Sequence, residues 1–481
     1  MQPSKAAPRS ESRSRPGARL SRQCPPAGLS PATSAPHACR RHPASAPRAP
    51  PPPSPSSPRL RGLHSKDVIG GGGGGGASDA GRPWASLPDD LVRLVASRVL
   101  AGNLLDYVRF RAACTGWLSA TASPRGRGIV DPRFHPRRWM MFPEDHGLHP
   151  GHPDLRGHIR FVNLDTGALV RVQLPIFGDH YAIDSVDGLL VLVRHQDSAV
   201  RLLHPFTGDV AELPSLETLF PQLATRVPGP MPSIQNLTRV VCASVSLSSG
   251  AITVMLAIHR IHCVAFASTL DQQWTLSSWR YGISSNFPLS FQGKLYVVDT
   301  VVLCNDVQIF QIDPPVKDGV GSVCELNPPK LIATLPSGNL TGPSLVECDS
   351  EILVLGYNDS WSRSKMVVFK LADLVQRRCI RISSIGGNTL LASERSLSVS
   401  SEARCTSMGD SVVLTDSRQQ HLVQYHLISG TWSPAADDCS VYGPAPGPCS
   451  FIHHIHSCCI RSRWNRGLVF GKNPDGWFGA R

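Results

Sequence analysis

The chain has 481 residues, 41% of them hydrophobic and 17% charged, with a net charge of +12. That length allows about two to three domains. Residues 1–83 hold 13 Lys and Arg against Glu11, Asp67 and Asp79, so +10 of the charge sits there and only +2 on the rest, and a basic nucleic-acid-binding surface on the folded part is not expected.

Residues 1–83 are rich in Pro, Ser, Ala and Arg, with prolines from Pro50 to Pro53 and a glycine run from Gly70 to Gly76. Such a segment buries too little apolar surface to offset chain entropy, so it reads as a disordered tail. The glycine run satisfies GxGxxG, but a homopolymer matches any glycine template and no helix pattern follows it. An Arg- and Ser-rich, acid-poor start is also compatible with an organelle transit peptide. No apolar signal core appears in the first 30 residues. The best apolar window, Ala251 to Ala267, is interrupted by His259, Arg260 and His262, so two adjacent strands are expected there rather than a membrane span. No membrane contact is expected, and cytoplasm or nucleus is the expected location. The 14 cysteines form no CxxC pair, which points to reduced, mostly buried thiols.

The stretch 84–122 is unlike its surroundings. Pro88 stands where a helix would start, with Asp89 and Asp90 in its first turn. Leu91, Leu94, Val95 and Val99 fall on one apolar stripe, and Gly102 is a stop signal. Asp106 would cap a second helix whose stripe is Phe110, Ala113, Cys114, Trp117 and Leu118. Two such helices bury too little to be stable alone. Either the domain that follows or another protein covers them.

Leu87-Pro88-Asp89-Asp90-Leu91, Val95, Val99, the run Tyr107 to Cys114 and Trp117 together resemble an F-box along that motif's whole length. Gly116 and Leu118 flank the Trp, where plant members often carry basic residues. The resemblance implies docking to a Skp-type adaptor and, through it, to a cullin ubiquitin ligase. It implies an adaptor-facing or motif-core set of Leu87, Pro88, Leu91, Val95, Val99, Phe110, Cys114 and Trp117.

Residues 123–157 are rich in Pro, Gly and His. His146, His149 and His152 are three apart, but prolines and glycines make this a loop, so a solvated connector is expected over a metal site. From His158 to about 470 the texture is β. One recurring piece is a turn followed by an apolar strand, at Asp187-Gly188, Gln292-Gly293, Ser350 and Gly409-Asp410. Another is a Thr-Gly or Ser-Gly turn between strands, at Gly167, Gly208, Gly250 and Gly430. These read as a degenerate blade repeat, and roughly 310 residues would make about six blades of a β-propeller. A pair of β-sandwiches is the competing architecture. The fold class is thus a mainly β, propeller-like C-terminal domain preceded by a small all-α motif, with a short tail over 471–481.

His204-Pro-Phe-Thr-Gly208 with Leu213-Pro214, Phe291 to Tyr296, Leu345 to Glu347 and Tyr425 to Trp432 are similar to the F-box-associated domain of grass F-box proteins, a kelch-like class of unknown function. The resemblance implies a domain that binds a protein substrate. The target-binding residues are expected on loops at one face of the ring.

No catalytic motif emerges. HExxH, GxSxG and GxxxxGK[ST] are absent, and no cofactor is implied. His453, His454, His456, Cys458 and Cys459 could suit zinc, but interleaved apolar residues point instead to a closing strand. Arg461, Arg463 and Arg466 read as a solvated end. The sequence therefore points to a non-catalytic substrate receptor of a Skp-cullin-F-box ligase. The rivals are a propeller scaffold with no ligase role and a propeller hydrolase, which would need paired carboxylates at the ring axis.

Overall fold

In the computed structural model, residues 84–142 and, with short internal breaks, 153–435 and 450–461 are described. The tail over 1–83, its glycine run, His146, His149, His152, Arg463, Arg466 and the C-terminal tail lie outside these residues.

Three helices come first: α1 (Asp89–Gly102), α2 (Leu104–Arg111) and α3 (Thr115–Ala120). Pro88 is the N-cap of α1, with Asp89 and Asp90 in the first turn. The second expected helix is in fact two. Cys114 takes an extended conformation and its sulfur accepts from the Trp117 amide at 3.4 Å, so a new helix starts there. The expected cap Asp106 lies inside the first turn of α2. Asn103 is the cap, accepting from the Leu105 amide at 2.9 Å.

Six sheets follow, arranged as a six-bladed propeller. Blade A is β1 (Trp139–Phe142), β2 (His158–Asn163) and β3 (Leu169–Gln173). Blade B is β4 (His180–Val186), β5 (Leu189–Arg194), β6 (Ala199–Leu203) and β7 (Val210–Ser215). Two short helices, α4 (Phe220–Ala224) and α5 (Ile234–Leu237), lead into blade C. Blade C is β8 (Val241–Ser248), β9 (Ala251–Ile258), β10 (Cys263–Ser268) and β11 (Thr275–Leu276). Blade D is β12 (Leu289–Phe291), β13 (Lys294–Thr300), β14 (Val307–Ile312) and β15 (Lys330–Leu335). Blade E is β16 (Thr341–Cys348), β17 (Glu351–Tyr357) and β18 (Met366–Lys370), followed by α6 (Leu371–Val375). Blade F is β19 (Thr389–Leu391), β20 (Leu397–Val399), β21 (Ser411–Thr415), β22 (Leu422–His426) and β23 (Thr431–Pro434). Last comes α7 (Phe451–Cys459).

One strand of each blade, β1, β4, β8, β12, β16 or β20, lines the central cavity. The apolar cores lie between neighbouring blades. Tyr296 and Val298 of blade D pack with Val354 and Phe369 of blade E, for example, and Leu355 of blade E packs with Val412 of blade F. Strand β9 is buried along its whole length, and β10 follows it after a tight turn, so the apolar window at 251–267 is two adjacent strands.

The turns explain the repeat. Asp187-Gly188, Gln292-Gly293 and Asp349-Ser350 all carry positive φ and join the first two strands of blades B, D and E. Gly250, also at positive φ, does the same in blade C. It fills the double gap in the spacing of the first turn series. Gly409-Asp410 is not such a hairpin, because β21 runs parallel to β19.

Three expectations are corrected. The connector over 123–157 contains β1, and His135 within it is buried, bonding the Ile129 carbonyl at 2.9 Å. The expected closing strand at 451–459 is helix α7. Ser450 caps it through the His453 amide at 3.4 Å, and Ile452, Ile455, His456 and Cys459 recur at helical spacing on its buried face. Arg461 is not solvated but buried.

That arginine helps close the ring. Asp184 on β4 is buried, and its carboxylate takes Arg461 at 2.6 Å, Arg395 from the β19–β20 loop, and the Ala243 amide of β8 at 2.7 Å. Arg461 also bonds the carbonyls of Val241 and Glu394. One side chain thus ties blades B, C and F to the segment after α7. Burial alone would push the Asp184 carboxyl up. The Arg461 and Arg395 guanidiniums outweigh it and hold the group below the usual carboxylate range.

Asp184→Asn leaves two buried guanidiniums without their counter-ion and should cost about 3–5 kcal/mol in urea denaturation. Because the folded pKa is depressed, the ionised group stabilises the fold above the unfolded pKa, near 4. The gap between wild type and variant should be full above about pH 4 and close as pH falls through the folded pKa.

Candidate functional site

Helix α1 is apolar on two sides. Val92 and Ala96 are buried, and Ala96 meets Leu104, Tyr107 and Phe134, with Val99, Leu100, Phe110 and Phe206 packed against that cluster. Leu91, Leu94 and Val95 face outward and are 44%, 48% and 41% exposed. The expected stripe is therefore split. Val99 belongs to the small core, and the other three form an uncovered apolar face on one side of the helix.

The remaining expected residues divide the same way. Pro88 is exposed and Leu87 half-buried. Phe110 and Trp117 stack at 4.3 Å between centroids and hold α2 to α3. Cys114 caps α3. These three, with Val99, build the module rather than its surface. Val108 on α2 and Leu118 on α3 are exposed apolar residues that the expected set does not contain.

Hydrogen bonds close the module on itself. The Tyr107 hydroxyl donates to the Ala122 carbonyl at 2.7 Å, Arg111 Nε to Thr121 Oγ1 at 3.0 Å, and Arg93 Nε to the Ala120 carbonyl at 3.2 Å.

The module is seated on the ring through one turn of blade B. His204 is buried, and its Nε2 lies 2.9 Å from the Phe134 carbonyl. Its Nδ1 accepts from the Phe206 and Thr207 amides, so the proton sits on Nε2. Burial pushes its pKa down and keeps the ring neutral. Phe206 joins the module core and meets Trp139 of β1 edge-on at 5.3 Å. Trp139 Nε1 donates to Asn103, the cap of α2, at 3.2 Å. Asp209 accepts the Gly126 and Gly128 amides at 2.9 and 2.8 Å. A Cβ on Gly128 would stand 2.6 Å from Thr207 Oγ1 and 2.8 Å from Asp209 Oδ2, so the approach needs a glycine. The anchor is the His204 to Gly208 motif together with Asp209. Its polar residues in a tight turn were the signal, but nothing local in the sequence shows which segment they grip.

The ring axis holds a cavity of about 120 Å³, below the roughly 300–1,000 Å³ of typical ligand pockets. Carboxylates do converge there: Asp184, Asp187 and Glu347. Asp184 is committed to its two arginines. Burial, and then Asp187, pushes the Glu347 carboxyl up, while Arg138 opposes them. The acid pair a sugar hydrolase needs would have to come from Asp187 and Glu347. Burial also pushes up the thiols of Cys242 and Cys348, to about 11 each, which disfavours the nucleophilic thiolate.

Asp209→Ala removes both bonds to the 126–128 segment and should cost about 2 kcal/mol locally, given its partial exposure. Amide exchange in α1–α3 should quicken while the blades keep their protection. Equal loosening of both would contradict the anchor.

Among families of known proteins, the KIB1-4 beta-propeller model matches residues 161–442. The chain belongs to that family. No curated protein matches it.

Proposed function

We propose that this KIB1-4 propeller is the substrate-recognition subunit of a Skp-cullin-F-box ubiquitin ligase, located in the cytoplasm or nucleus. The helical module docks a Skp-type adaptor, and the ring holds a protein target. The observation that carries this reading is the uncovered face of Leu91, Leu94 and Val95 on a module fixed to the ring. Three large apolar side chains turned outward on one helix fit a partner surface better than solvent. The F-box resemblance, which includes Leu91 and Val95, supplies the chemistry of that partner. The role is proximity rather than catalysis. Holding target lysines near a conjugating enzyme raises their effective concentration through one chain. A firm seat suits that role, since slack between module and ring would dilute the effect.

A scaffold with no ligase role is the second reading, and one experiment separates the two. Leu91→Asp with Val95→Asp alters exposed positions, so the fold should lose less than about 1 kcal/mol. Adaptor capture in a pull-down should fall at least tenfold. Val92→Asp, at a buried position, should instead unfold the module. An intact protein that never captures the adaptor would sink the ligase reading and leave the scaffold.

A further inference from the structure

Among the described residues blade E has three strands, as blade A does, whereas blades B, C and D have four and blade F five. Its outer strand is β18. Among the described residues, that edge is met by one isolated bridge, Phe369 to Arg381, and by the Ile382 amide on the Val368 carbonyl at 2.9 Å. The returning chain then turns away, because Asp410 takes the Ser384 hydroxyl at 3.0 Å and the Ile385 amide at 2.5 Å. A groove of about 220 Å³ remains between blades E and F. Met366 and Val367 line one wall, Tyr425 and Leu427 the other. The Tyr425 hydroxyl hydrogen-bonds the Met366 backbone, a side chain standing in where a strand partner is lacking. Asn358 also lines the groove, and its Oδ1 is buried without a hydrogen-bond partner. An acceptor left that way carries a desolvation cost that an incoming N–H would relieve.

The rim is basic. Lys365 and Arg381 line the groove, are exposed and form no ion pair with another described residue. Arg377 is exposed on the same return, and Arg363 lies over the Tyr357 ring at 5.5 Å. Of the acids in this stretch, Asp373 is taken by Arg378 at 2.6 Å and Asp359 is half-buried. Trp432 braces the hairpin to blade F, with its Nε1 on the Ser364 carbonyl at 2.7 Å and its ring stacked toward Tyr357 at 6.5 Å.

We propose that this groove binds an extended, Asp- and Glu-rich segment of a partner protein, laid between the Met366–Val367 wall and the Tyr425–Leu427 wall, beside the Arg381–Ser383 return. The proposal deepens the reading of the ring as the target-binding half and rests on it. The apolar walls and the unpaired Asn358 acceptor supply affinity, and the cations select acidic side chains.

The test uses the full chain and a fluorescein-labelled peptide alternating Glu and Thr, read by anisotropy, with Gln–Thr and Lys–Thr peptides as controls. The Glu peptide should bind best, and its affinity should fall as salt rises. Lys365→Glu with Arg381→Glu should weaken it at least tenfold, while adaptor capture stays at the wild-type level. Equal binding to wild type and variant, equal binding of the Glu and Lys peptides, or no binding of the Glu peptide would each overturn the proposal. Loss of adaptor capture by the wild type would count against the ligase reading alone, because the peptide is measured separately.

Discussion

The ring depends on the Asp184 carboxylate. A propeller gains most of its stability between adjacent blades, but a circle of blades also needs a tie where its two ends meet. Here Arg395 and Arg461 converge on one buried acid from two segments remote in sequence, and the Ala243 amide joins from the next blade. Buried ion pairs often add little net stability over apolar residues of the same size. Their value here is specificity. Two guanidiniums cannot be buried without that acid, so misaligned blades carry a heavy cost. Arg138 performs a smaller version of the same task, joining Asp165 of blade A to Ser398 of blade F.

A firmly closed ring gives the helices somewhere to sit. Their own core is a handful of side chains, and it is completed by Phe134 and Phe206 from outside α1–α3. Seating the inner side of α1 leaves its outer side bare. The same helix therefore has one face packed against its own chain and one apolar face left exposed.

Much of the fold was legible because it is written locally. Glycine or Asp at positive φ marks the turns, and alternating β-branched runs mark the strands between them, so the blade repeat could be counted. Gly250 reads as one of the Thr-Gly or Ser-Gly turns, which leaves the spacing between Gly188 and Gly293 nearly double, whereas it joins the first two strands of blade C. The β1 strand was hidden because four apolar residues between prolines and arginines make no pattern of their own. Helix α7 looked like a strand because its histidines alternate, while its buried positions follow the helical period. Of the residues that carry the F-box resemblance, Leu91 and Val95 lie on the exposed side of α1, whereas Val99, Phe110, Cys114 and Trp117 take part in the module's own packing. A helix apolar on both sides does not declare which side is inside. The ties at Asp184 and His204 left no local trace, since each joins residues that only the closed ring brings together.

Those separations bear on how the molecule is made. Arg395 meets Asp184 across 211 residues, Arg461 meets Val241 across 220, and Arg138 meets Ser398 across 260. Contacts so distant along the chain make folding slow, because closing long loops must precede the energy they return. On the ribosome, the early blades emerge with their inner strands complete and the circle still open. They wait for Arg461, with inter-blade faces bare and in need of protection. The seam that makes the finished ring precise also makes the unfinished one vulnerable.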